Sequence, residues 1–97
     1  MNRTDALVKL RQHQSDLEQM GVRGLYLFGS TARGEARPES DVDLFFDHET
    51  GALSLFDVMD IGAAATAILG CKADVMTRNS LDPYIRPYAE SDAVEVY

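Results

Sequence analysis

The stretch Gly29 to Asp43, GSTARGEARPESDVD, constrains this chain most, because it joins two apolar runs that are each too short to be a helix. Leu25 to Phe28 stops at Gly29, and Asp41-Val42-Asp43 opens the next run, Leu44-Phe45-Phe46. Short apolar runs bounded by glycine and polar residues read as buried strands. The sequence therefore predicts strands over Val22 to Phe28 and Asp41 to Phe46, with Gly29-Ser30 as the exit from the first. Gly29 permits a backbone conformation and a close approach that a side chain would forbid. Ser30 is a preferred helix cap and opens a short helical stretch, STARGEA, whose first amides lack partners inside the helix. The polar loop Glu35 to Ser40, with Pro38, does not easily continue that helix.

Free amides, a helix dipole and a hydroxyl together suit a phosphate. Arg33 follows Ser30 by three residues, so it projects from the same side of the helix and can meet a second pair of phosphate oxygens. The competing reading of Arg33 is a surface ion pair with Glu35 or another acid. Asp41 and Asp43 are two apart, and positions two apart on a strand share a face. Two such anions repel each other unless a cation joins them. Magnesium favours oxygen ligands and takes carboxylates together with substrate phosphates and water. Asp74 stands inside the otherwise apolar run Ala73 to Met76, and a third carboxylate facing the same metal gives that acid a reason to be there. The plain alternatives are an ordinary strand-to-helix turn at Gly29-Ser30, a strand-end acid at Asp41 and a solvent-facing edge acid at Asp74. Taken together, a phosphate cradle opposite paired carboxylates is the equipment for gripping a nucleoside triphosphate through divalent metal.

The rest of the chain supplies a scaffold. Its 97 residues make a single domain, 1–97, with no room for a separate substrate domain. Asn2 to Gly21 reads as an amphipathic helix capped by Thr4, with Leu7, Leu10, Leu17 and Met20 inward, Arg11 solvated and Gly21 as terminator. Asp47 to Gly51 is a turn. Ser54 to Gly70 is the strongest helix, with Ser54 and Asp57 as a capping box and Leu55, Val58, Met59, Ala65, Ile68 and Leu69 along one side. Gly62 and Ala63 to Ala65 are small enough for another element to approach. Ala73 to Thr77 is a third strand. Asp82 before Pro83 starts a last helix that Pro87 should interrupt or kink, and Val94 to Tyr97 alternates as a short final strand. The fold class is α/β (α+β), a small mixed sheet with helices packed against it.

A net charge of −7 disfavours nucleic acid as a direct partner, since a backbone grip needs clustered Lys and Arg. No apolar stretch reaches membrane-spanning length, and the start of the chain lacks a signal-peptide core. The single cysteine, Cys71, suits a reducing compartment, so a cytoplasmic location is expected. His13 and His48 read as solvated residues.

Gly29-Ser30, a gap of ten residues, Asp41-Val42-Asp43, and Asp74 about thirty residues later resemble the signature of nucleotidyltransferases of the DNA polymerase beta superfamily. More closely, the chain is similar to the minimal nucleotidyltransferases (MNT) of prokaryotes, including its closing pattern LDPYIRPYAESDAVEVY. The resemblance implies a nucleotidyltransferase fold and two Mg2+ ions held by Asp41, Asp43 and Asp74. It implies ATP as substrate, its phosphates on Gly29, Ser30 and Arg33, with Asp74 as candidate base. It also implies a partner, a HEPN-type ribonuclease toxin that this chain would silence by transferring AMP to a tyrosine hydroxyl, as an antitoxin. Self-association and a hetero-oligomer with the toxin are both compatible with it. The alternatives are a binding module that neutralises its partner by occlusion, and a transferase acting on a small molecule, as the related aminoglycoside nucleotidyltransferases do.

Overall fold

The computed structural model describes residues 1–49, 51 and 53–97. Asn2, two residues earlier than the expected Thr4, starts the first helix: its side-chain carbonyl accepts the Asp5 N–H at 2.8 Å, and α1 runs Arg3–Gln12. Asparagine caps at least as well as threonine, and the earlier start gains helical residues. The single helix expected up to Gly21 is broken at His13 (φ −111°, ψ 19°), after which α2 spans Gln14–Gln19. Leu10 and Leu17 are buried on either side of the break. Arg11 is not merely solvated. It donates to the Glu95 and Val96 carbonyls at 3.1 and 2.8 Å and ties α1 to the far end of the chain.

The strands follow in the order expected, with shifted ends. β1 is Gly24–Phe28, α3 is Gly29–Arg33, and β2 is Val42–Asp47. α4 spans Leu55–Leu69 and β3 spans Ala73–Thr77. A single 3-10 turn, Arg78–Ser80, leads to α5, Arg86–Asp92, and β4 is only Val94–Glu95. The sheet order is β3-β2-β1-β4. β1 is antiparallel to β2 and to β4, whereas β2 and β3 are parallel, so α4 serves as the crossover that a parallel pair requires.

Alternation along the strands sends Leu25, Leu27, Val42, Leu44 and Phe46 to one face, where they meet Leu10, Leu17, Ile61, Ala65 and Leu69 of the helices. The opposite face carries a smaller cluster, Phe28 and Phe45 under Leu81 and Ala89. Arg78 lies over the Tyr26 and Phe45 rings, 4.8 Å from each centroid, and pairs with Asp47 and Glu90, which fastens the α5 region to the sheet.

The Ser54 capping box is present: Asp57 N–H donates to the Ser54 hydroxyl at 3.2 Å, and Ser54 N–H donates to the Asp57 carboxylate at 2.9 Å. The inner stripe of α4 differs from the expected one. At 100° per residue, Leu55 and Met59 lie about 120° and 160° around the helix from Ile61. They are accordingly 74% and 61% exposed, while Ile61, Ala65 and Leu69 are buried. No element closes on Gly62, where an added Cβ would meet nothing within 4 Å among the described residues. Pro87 does not interrupt a helix. The Asp82 carboxylate and carbonyl organise a turn, accepting the Tyr84, Ile85 and Arg86 N–H groups, and Pro87 sits in the first turn of α5. There its missing N–H has no intrahelical partner to lose. Tyr97 packs inward and donates its hydroxyl to the Val22 carbonyl at 3.0 Å, whereas Tyr84 and Tyr88 are exposed.

Candidate active site

β1 delivers the chain to Gly29 in the left-handed region, φ +74°. A Cβ there would collide with Asp43 Oδ2 and would stand 3.3 Å from Asp43 Cγ. Glycine is thus required twice at this position, by the backbone conformation and by the carboxylate laid against it. α3 begins at Gly29 itself, with Phe28 as the flanking residue and no side-chain cap. Ser30 therefore lies inside the first turn rather than capping it, a correction that follows from Gly29 taking up the turn one residue earlier. The helix stops at Arg33, before the expected Glu35 and Ala36, because Gly34 adopts φ +76° and closes it.

Asp41 directly precedes β2 and is not part of it, so its place beside Asp43 comes from the loop end and not from strand alternation alone. Asp43, the second residue of β2, pairs with Phe28 on one side and with Asp74 on the other. In a parallel register, paired residues face the same way, so the Asp74 carboxyl shares the sheet face of Asp43. Backbone pairing holds this arrangement: Val42 N–H donates to the Lys72 carbonyl at 3.0 Å, and Ala73 N–H donates to the Thr66 hydroxyl of α4 at 3.1 Å.

The three acids are coupled electrostatically. Burial, first, and then the charges of Asp74 and Asp41 hold the Asp43 carboxyl above the ordinary carboxylate value, with Arg33 opposing them. Lys72, which sequence reasoning passed over, places its ammonium 3.6 Å from Asp41 Oδ2 and 3.9 Å from Asp74 Oδ1. The available signal was its position two residues before Asp74, on the same side of the incoming strand. Arg33 is engaged with Glu35 at 3.0 Å and with Asp92 of α5 at 2.7 Å, partners that raise its pKa. Its ion-pair role is thus realised here.

Among the described residues, no three His, Cys, Asp or Glu side chains are already gathered closely enough to enclose a metal ion. The donor set nonetheless fits a hard divalent cation. It offers carboxylate oxygens on adjoining positions, one of them held toward its protonated form by burial and by the other two, and a cation already bridges Asp41 and Asp74. Cavities of about 440 and 220 Å3 lie at the other end of the strands, lined by residues such as Arg23, His48 and Glu49, and Asp47 and Arg78. Neither borders the acids.

A family model described as the nucleotidyltransferase domain matches residues 8–96. The chain belongs to the nucleotidyltransferase family. This nucleotidyltransferase is 38% identical to the protein adenylyltransferase MntA of Thermococcus cleftensis over 73 residues, which cover 74% of this chain and 73% of that one. It superposes on a solved minimal nucleotidyltransferase with a TM-score of 0.81 and 30% identity, covering 97% of this chain and 95% of the other. The fold also matches the structure of a tri-AMPylated Shewanella oneidensis HEPN toxin in complex with MNT antitoxin, with a TM-score of 0.66 at 13% identity, over 90% of this chain and 68% of that one. The α/β fold and the minimal nucleotidyltransferase resemblance expected from Gly29-Ser30 and Asp41-Val42-Asp43 are both met. Among the described residues no helix is long and apolar enough to cross a membrane.

Proposed function

We propose that this nucleotidyltransferase is a protein adenylyltransferase and antitoxin that transfers AMP from ATP to a tyrosine hydroxyl of a HEPN-type toxin. The observation that carries the reading is the in-register pair Asp43 and Asp74, with Asp41 beside it and Gly29 packed against the Asp43 carboxylate. The names of the MntA relative and of the AMPylated toxin complex support the acceptor class.

Asp41, Asp43 and Asp74 would hold one magnesium ion, and Asp41 and Asp43 a second. When bound, magnesium would lower the pKa of the acceptor hydroxyl and neutralise the departing pyrophosphate. Gly29 leaves room for phosphate oxygens to approach the backbone, and the first amides of α3 with the Ser30 hydroxyl receive them. Arg33 joins this grip if it exchanges Glu35 or Asp92 for phosphate, a trade between exposed ion pairs that costs little. Asp74 accepts the proton of the acceptor hydroxyl as that oxygen attacks the α-phosphorus and pyrophosphate leaves. A protein acceptor brings its own surface.

Occlusion without chemistry is the second reading, favoured by the exposed apolar side chains Leu55, Phe56 and Met59 on α4. Incubation with α-labelled ATP, magnesium and a HEPN toxin separates the two. Label on the toxin that disappears with Asp43→Ala and with toxin Tyr→Phe variants supports transfer. Toxin inhibition that persists at full strength in Asp41→Ala and Asp43→Ala would show that occlusion suffices.

A further inference from the structure

We propose that Lys72 is the resident counter-cation of the acidic cluster: it holds Asp41 and Asp74 together before a divalent cation arrives, and the incoming ion must displace it. The inference rests on the metal-site reading above and extends it to the way the site is loaded.

The geometry of Lys72 supports both halves. Its carbonyl accepts the Val42 N–H at 3.0 Å, so its backbone is pinned at the entry of β3. Its side chain, by contrast, is 70% exposed and free to swing. From that anchored base the ammonium reaches one oxygen of Asp41 at 3.6 Å and one of Asp74 at 3.9 Å. Among the described residues it is the basic side chain within 4 Å of either acid. Arg33, whose charge is also felt at Asp43, is committed to Glu35 and Asp92.

A lysine in this position differs chemically from the ion it would yield to. It is a compact single charge on a flexible stem, able to bridge two carboxylates and offset one of their two negative charges, but not to accept their lone pairs in a coordination sphere. Magnesium or manganese takes the same oxygens directly and at shorter range. Ammonium and divalent ion therefore compete for the space between Asp41 and Asp74. The competition favours the lysine when few ligands are present and the metal when a triphosphate adds further oxygens. Loading is thereby coupled to nucleotide: the site stays intact without metal, and the ion enters most readily with its substrate.

The test is Mn2+ binding without nucleotide, followed by the electron paramagnetic resonance signal of the free ion, for wild type, Lys72→Met, Lys72→Arg and Asp43→Asn. Lys72→Met keeps the stem and removes the charge. It should tighten the Mn2+ Kd by about three- to tenfold, the scale of one or two exposed ion pairs, and Lys72→Arg should stay near wild type. Added non-hydrolysable ATP should shrink the difference between Lys72→Met and wild type. Binding that weakens in Asp43→Asn but is unchanged or weaker in Lys72→Met overturns this inference alone. Binding that is absent in both wild type and Lys72→Met, or indifferent to Asp43→Asn, overturns the metal-site reading and this inference with it.

Discussion

Replacing Gly29 by alanine separates two costs that coincide at that residue. The first is conformational, because φ is +74° and an L-residue in the left-handed region costs about 1–2 kcal/mol. The second is steric, since the new Cβ collides with the Asp43 carboxylate. Turning that carboxylate off its rotamer, between Phe28 and Asp74, costs roughly 0.5–1.5 kcal/mol. Gly34 is the control: its φ is +76°, but an added Cβ there meets nothing within 4 Å. Gly34→Ala should therefore lose about 1–2 kcal/mol in urea denaturation and Gly29→Ala about 2–3, a difference that moves Tm by roughly 4–8 °C in a domain of this size. Adding Asp43→Ala to Gly29→Ala should recover that difference, measured as the coupling energy of a double-mutant cycle. Adenylyl transfer should survive Gly34→Ala and fall on the order of a hundredfold in Gly29→Ala, because displacing the proposed metal ligand Asp43 would misplace the reaction. Equal losses for the two glycines, with no coupling to Asp43, would refute the claim that Gly29 is glycine on account of the carboxylate.

The remaining expectations concern charge and capping. Because burial and its neighbours raise the Asp43 pKa above the ordinary 3.8, its ionised form opposes folding, and Asp43→Asn should be more stable than wild type at neutral pH in chelator. The sign fixes the window: the stability gap should be closed below pH 3.8, open as pH rises through the native pKa, and hold above it, and a gap that widens on acidification refutes this. Arg78→Ala removes a guanidinium that lies over Tyr26 and Phe45 and pairs with Asp47, and should cost about 1–2 kcal/mol by thermal denaturation, less in high salt. Arg78→Lys should restore only part of it, since an ammonium lacks the planar fork that meets both Asp47 oxygens at 2.8 and 3.0 Å. Ser54→Ala should cost about 1 kcal/mol and Ser54→Thr much less, read from the helical circular-dichroism signal in urea.

What the sequence disclosed was the content of local signals. Ala73 to Thr77 was bounded by the polar residues around it, and α4 announced its ends through Ser54, Asp57 and Gly70. Gly29 and the Asp-x-Asp pair pointed to each other, and the structure brings them into contact. Registers and other long-range partners were less legible. Asp74 was expected on the same metal as Asp43, but the register that pairs the two is not written in either run, because strand pairing is decided by packing across the whole sheet. Arg33 finds Asp92 only because α5 folds back beside α3. The break at His13 carries no glycine or proline to mark it, and the exposed Leu55 and Met59 show that apolarity alone does not say which side of a helix faces the core.

The parallel ladder between β2 and β3 has a mechanistic consequence. Since alternate residues point to opposite faces, slipping β3 by a single position would drive the Asp74 carboxyl toward Leu44 and Phe46 and leave Asp43 facing an apolar neighbour. Folding to the wrong register is thus penalised by the same acid that the proposed chemistry uses. The short connection from Gly70 to Ala73, anchored by Thr66, therefore helps to hold the register on which the proposed site depends: a residue inserted there would strain that anchor while leaving every proposed ligand in the chain.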